Sequence, residues 1–183
     1  MSSSADPVRD VLSLLTSRPS SGSTQVVAVD GPSGSGKSTF ADRLSAALDG
    51  VPLVRMDDLY PGWDGLDDAV PRLLEWVLLP LSAGELARYR RFDWDTGRYA
   101  EWRDVPASAV VIVEGVASGA RACAPHLSVL VWVDAARTVR FARGIARDGE
   151  GYRPHWERWA AQEERHFATE DTRTRADVRL TTG

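Results

Sequence analysis

The run Gly31-Pro-Ser-Gly-Ser-Gly-Lys-Ser38 fits the phosphate-loop pattern G-x-x-x-x-G-K-[ST]. Small residues let successive backbone N–H groups curl around anionic oxygens. A helix starting at Lys37 adds the positive end of its dipole. Lys37 can reach the β and γ oxygens of a nucleotide, and the Ser38 hydroxyl can ligate Mg²⁺. Gly31, Pro32, Ser33, Gly34, Ser35, Gly36, Lys37, Ser38 and Thr39 are therefore the expected ATP-binding residues. The alternative, a flexible Ser/Gly turn, fits the context less well, because a β-branched run precedes the motif and a helical pattern follows it. The chain has 21 arginines but one lysine, and that lysine stands inside the motif.

The type of phosphate-loop protein is narrowed by what the chain lacks. Guanine-reading loops use Asn-Lys-x-Asp, and this sequence has no asparagine and no second lysine. A Leu-Ser-Gly-Gly-Gln transporter signature is missing. Helicase-like ATPases end an apolar strand in Asp-Glu, whereas Val110-Val-Ile-Val-Glu-Gly115 offers one carboxylate, Glu114. Small-molecule kinases remain.

Five elements, taken in order, resemble the uridine kinase-like family of the phosphoribulokinase/uridine kinase group. They are Gly31–Thr39, Met56-Asp-Asp-Leu-Tyr60, Phe92-Asp-Trp-Asp-Thr96 with Arg98, Val113-Glu-Gly115, and Arg140-x-x-Arg-x-x-x-Arg147-Asp. The resemblance runs from about residue 25 to 153. It implies that Asp57, at a strand end, acts on the acceptor hydroxyl. The chemistry agrees, since an alcohol must lose a proton during phosphoryl transfer and a phosphate acceptor need not. Asp58 as the base, or a turn-capping role for either aspartate, stays open. Glu114 is implied as a Mg²⁺ ligand with Ser38, against capping of the following helix. Tyr60, Asp93 and Arg98 are implied on the substrate side, with Tyr60 as a packing residue the alternative. Phe92 stands where the family has a tyrosine, and Gly97 where it has a pyrimidine-reading histidine, which speaks against uridine itself.

Arg140, Arg143 and Arg147 share one helix face by their spacing. They lead into a Gly-flanked loop at 148–153. The pattern resembles a kinase lid, about 143–155, whose Arg143 and Arg147 would neutralise charge on the transferred phosphate. The alternative is a solvated arginine face. Trp63, Phe92, Trp94, Tyr99 and Trp102 could stack on a ring substrate or form the core of a small subdomain. His155 and His166 are expected at the surface, and Cys123 as an inert packing residue in a helical stretch.

To position these groups the chain needs a strand at Gln25–Asp30, a helix at 37–48, a strand at 51–56, a helix at 66–79 and a hairpin around Asp95-Thr-Gly97. Strands at 109–113, 129–133 and 176–180 and helices at 135–147 and 155–167 complete the series. Pro19–Ser23 reads as a linker, and a short amphipathic helix precedes it at 5–18. Strands alternating with helices imply an α/β fold, a parallel sheet covered on both faces, of the P-loop kinase type. Residues 1–183 read as one domain, with 60–105 as an inserted substrate-side segment.

The length of 183 residues, 43% hydrophobic and 26% charged, suits such a domain. A net charge of −4 without a basic cluster argues against nucleic acid as a partner. No leader is evident at the N-terminus, and the longest apolar run, 73–81, is too short to cross a membrane and carries Glu75. One cysteine allows no internal disulfide, which suits the cytoplasm. The expected function is ATP- and Mg²⁺-dependent phosphorylation of a hydroxyl on a small molecule, a nucleoside such as uridine being one acceptor class. A nucleotide monophosphate kinase and a non-catalytic ATP-binding regulator are the alternatives. Oligomeric state is left open by the sequence.

Overall fold

A computed structural model describes residues 6–18, 24–150 and 153–183 of the chain, the side chain of Asp148 excepted. The linker 19–23 and loop residues Gly151 and Tyr152 lie outside that set. In order, the elements are α1 (Pro7–Ser17), β1 (Gln25–Asp30), α2 (Lys37–Ala47), β2 (Leu53–Arg55), α3 (Leu66–Leu73), α4 (Leu79–Ser82), β3 (Arg88–Asp93), β4 (Arg98–Asp104), β5 (Val110–Glu114), β6 (Val129–Asp134), α5 (Arg137–Asp148), α6 (Arg153–Glu170), α7 (Thr172–Arg175) and β7 (Val178–Thr181).

Five strands form one parallel sheet in the order β2-β5-β1-β6-β7. The central strands read as near-continuous valine runs because both faces are covered. Val27, Val29, Ile112, Val131 and Val133 pack against α1 and α2 through Val11, Phe40 and Leu44. Val26, Val54, Val111 and Val113 pack on the other face against Leu66, Leu73, Val77, Leu78 and Trp159. Each such aliphatic side chain, fully buried, contributes about 1.5–3 kcal/mol of transfer free energy. All strands point the same way, so their C-terminal ends gather Asp30, Arg55, Glu114 and Asp134 along one edge, where ligands bind in such sheets.

The hairpin β3–β4 stands apart as a two-stranded antiparallel sheet. It shares the main core through Ala87, Tyr89 and Val105.

Two local departures from the sequence expectation matter. The helix expected over 66–79 forms and runs on to Ser82, but its winding changes part-way. Pro71 in α3 has no N–H to donate backward, and a π-turn at Leu74–Leu78 follows before α4. The second strand ends early, at Arg55, and a 3₁₀ turn at Met56–Asp58 lifts the aspartates off the sheet. Cys123 sits in a turn rather than a helix, fully buried, with its thiol pushed up to about 12 by that burial.

Candidate active site

The phosphate loop leaves β1 at Asp30 and enters α2 at Lys37. Gly34 has φ +76°, and a Cβ there would collide with the Arg140 backbone, so glycine is required on two counts. The Asp30 carboxylate is fully buried and accepts N–H groups of Gly31 at 2.7 Å, Ala117 at 3.1 Å and Gly119 at 2.9 Å. It pins the start of the loop to the turn after β5. Burial raises its pKa, and the backbone donors oppose the shift. Lys37 is buried, and its ammonium donates to Pro32 O at 3.0 Å. Ser33, Gly34, Gly36, Lys37, Ser38 and Thr39 line a cleft of about 780 Å³. Gly31, Pro32 and Ser35 build the loop from behind that lining.

Asp57 and Asp58 are adjacent in sequence and separated in role. Asp57 lines the cleft. Solvent reaches its side chain, but protein crowds it from several sides, and this desolvation raises its carboxyl pKa; Lys37 and Arg147 pull it back down. Asp58 turns away to the hairpin, accepting from Tyr89 Oη at 3.1 Å and the Arg103 guanidinium at 3.1 Å. The hairpin also grips the backbone of this turn: Trp94 Nε1 donates to Asp57 O at 3.0 Å, and Tyr99 Oη to Leu59 O at 2.6 Å.

Glu114 reaches the same cleft from the end of β5. It is buried and pairs with Arg55 at 2.9 Å, across from it in register. Burial raises its pKa, against the pull of Lys37 and Arg55. Glu114 and Ser38 are hard oxygen donors beside the phosphate loop. That donor chemistry fits Mg²⁺ held jointly with nucleotide phosphates and water. Among the described residues, no group of three or more His, Cys, Asp or Glu side chains could hold a metal by itself.

Tyr60, Trp63, Trp94, His155 and Trp159 wall the end of the cleft beyond Asp57. Tyr60 is buried, donates to Val116 O at 2.8 Å and meets Trp159 edge-on at 4.8 Å. His155 is not a bare surface histidine as expected: its ring stacks on Trp63 at 4.5 Å. His166 also departs from the expected surface position. It is buried, with Nδ1 3.3 Å from Asp67, because α6 turns that face toward α3. The aromatics of the 60–105 segment divide. Trp63 and Trp94 face the cleft, while Phe92, Tyr99, Trp76 and Trp102 pack on one another.

Asp93 and Arg98 do not line the cleft. They pair across the hairpin, where Asp93 accepts the N–H groups of Asp95 at 3.0 Å and Thr96 at 3.2 Å. Of the three α5 arginines singled out by their spacing, Arg143 and Arg147 line the cleft and Arg140 does not. Arg140 braces Ser33 O at 3.3 Å and stacks over Trp156. Arg143 is held by Gly34 O at 3.3 Å, Thr182 Oγ1 at 2.8 Å and Gly183 O at 2.6 Å. Arg147 lines the cleft within electrostatic reach of Asp57. Sequence reasoning missed Asp30 and Glu163. Glu163, buried on α6, accepts the Ser33 N–H at 2.7 Å. It stands in an ordinary-looking charged run, Gln162-Glu-Glu-Arg165, and nothing local marks it.

The fold has counterparts among solved structures. A possible uridine kinase from Bacillus stearothermophilus superposes with TM-score 0.69 at 22% identity, covering 96% of this chain and 97% of that one. The chain has the fold of uridine kinase-like P-loop kinases. A candidate fructose transport system kinase from Silicibacter sp. TM1040 gives TM-score 0.62 at 20% identity over 94% and 96% of the two chains. A D-glycerate 3-kinase from Cryptococcus neoformans gives 0.56 at 16% over 89% and 86%. The inorganic pyrophosphatase TTM2 of Arabidopsis thaliana is 29% identical over 134 residues, 67% of this chain. The match covers 20% of that relative, so this chain spans about a fifth of it. No protein-family model matches the chain. Among the described residues, no helix of this kinase fold is long and apolar enough to cross a membrane.

Proposed function

We propose that the protein is an ATP-dependent kinase that transfers the γ-phosphate to a hydroxyl of a small molecule. One observation carries this reading: Asp57 faces the same cleft as Lys37 and the phosphate loop, while Asp58 is committed to the hairpin. A carboxylate placed there can take the proton that an attacking alcohol loses. Lys37 and the loop N–H groups hold and orient the phosphates. Ser38 and Glu114 would hold Mg²⁺, which when bound neutralises charge on the phosphate oxygens. Arg147 offers a further positive charge at the transfer site. Arg143 lines the cleft as well, anchored by three oxygen acceptors, and adds positive charge beside the loop.

The aromatic wall gives the acceptor a dry, shaped pocket that excludes competing water. Tyr60 Oη and Trp94 Nε1 are spent on backbone carbonyls, so these side chains offer surface rather than polar recognition. The arginines that would suit a phosphate-bearing acceptor stand elsewhere. Arg72 lies over Tyr99 and Arg88 over Trp102. An alcohol without a phosphate group therefore fits better than a nucleotide monophosphate. The test is a panel of nucleosides, sugars, vitamin precursors and nucleotide monophosphates, each scored for acceptor-dependent ADP release with ATP and Mg²⁺. Release with an unphosphorylated alcohol is expected. Release with monophosphates alone would overturn the assignment of Asp57 as base.

A further inference from the structure

One helix, α6, touches both ends of the cleft. On the acceptor side, Trp159 packs against Tyr60 and Trp63, His155 stacks on Trp63, and Gln162 Nε2 donates to Trp63 O at 2.7 Å. On the nucleotide side, Glu163 accepts the Ser33 N–H of the phosphate loop at 2.7 Å. Trp159 and Glu163 are one helical turn apart on the same face of α6. One face of one helix therefore meets both the acceptor wall and the backbone that cradles phosphate.

Glu163 is a costly residue to keep at that spot. It is 3% exposed, and an ionised carboxylate out of water must be paid for by donors. Its partners are the Ser33 N–H, which donates at 2.7 Å, and the Arg140 guanidinium, an ion pair at 3.7 Å. An apolar residue would fill the same place in α6 but would take the carboxylate acceptor away from the Ser33 N–H. Arg140, on the neighbouring α5, reaches both Glu163 and Ser33 O, so the peptide groups on either side of Ser33 are gripped from two helices. Phosphate loops bind through backbone N–H groups whose directions must be set in advance.

We infer that Glu163 is a positioning residue of the phosphate loop, tying it to the helix that also carries Trp159 of the acceptor wall. The inference rests on the reading of the cleft as a nucleotide site. Removing the carboxylate takes away the acceptor that aims the Ser33 N–H, so the loop is less well set in advance for phosphate. Nucleotide affinity falls, even though Glu163 carries the same charge sign as the ligand.

The experiment is calorimetric titration of the full chain with ATP in the presence of MgCl₂. Loss of a hydrogen bond to a charged group predicts a Kd about tenfold weaker for Glu163→Leu. Glu163→Gln, which keeps one acceptor oxygen, should fall between it and the wild type. Val11→Ala, in the core under α1 and away from the cleft, supplies a matched loss of stability and should bind ATP as the wild type does. A folded Glu163→Leu protein with wild-type Kd overturns the inference, and so does an equal loss in Val11→Ala. Should Glu163→Leu fail to fold, a wild-type Kd in Glu163→Gln overturns it. Absence of ATP binding by the unmodified chain would instead remove the nucleotide-site reading.

Discussion

At one end of the cleft, Ser33, Gly34, Gly36, Lys37, Ser38 and Thr39 come from one unbroken run of chain, and the conformation of each is dictated by its neighbours. At the other end, Asp57, Tyr60, Trp63, Trp94, His155 and Trp159 come from three separate segments. They meet only because a hairpin and a long helix fold over the same strand ends. The first end is built from backbone and small residues, so few sequences can make it. The second is built from large side chains, and many sequences could. The difference teaches that reaction type is written locally in this fold, while acceptor choice is distributed. Asp57 stands at the seam: it follows a strand in sequence, yet Trp94 of the hairpin holds its carbonyl.

The comparison breaks most easily at Lys37. Lys37→Ala should abolish measurable turnover and weaken ATP binding while the circular dichroism spectrum stays unchanged. Normal ADP release by a folded variant would sink the nucleotide-end assignment.

Asp57→Asn should reduce kcat by about 10²–10⁴, the usual worth of a general base, with ATP affinity little changed. Asp58→Asn should leave kcat largely intact and lower the melting temperature, since it loosens Tyr89 and Arg103. Reversed results from the two variants, read by steady-state kinetics and thermal unfolding, would move the base by one residue.

Truncating the wall tests the other half of the contrast. Trp63→Ala should raise the acceptor KM by about tenfold, equivalent to one or two kcal/mol of lost contact, and leave the ATP KM within about twofold. Equal changes in both constants would show that the two ends do not act separately.

The smallest expected effect is a shift in pH dependence. Crowding raises the Asp57 pKa, and Lys37 and Arg147 lower it. A base works when deprotonated, so activity should fall as pH drops through the Asp57 pKa, at a pH above the ordinary aspartate range. Arg147→Ala removes a positive charge that favours the carboxylate, so the acid limb of kcat/KM should move to higher pH. A limb that stays in place, or moves down, would separate Arg147 from the transfer site.

The amino-acid sequence by itself determined the nucleotide end. A G-x-x-x-x-G-K-S run between a β-branched strand and a helix has few stable conformations, because each glycine meets a local demand, as Gly34 does at φ +76°. The alternation of valine-rich strands with helices likewise specified the parallel sheet, since such strands must be covered on both faces. Only the tertiary structure decided which aspartate faces the cleft, because Asp57 and Asp58 have identical chemistry and differ by the direction in which a 3₁₀ turn aims them. It also decided that Asp93 and Arg98 pair with each other across the hairpin instead of facing the cleft, that His155 joins an aromatic wall and His166 is buried, and that Glu163 reaches Ser33 across 130 residues of chain. Such contacts are set by how helices pack on a sheet, through many weak side-chain interactions, and no local spacing records them.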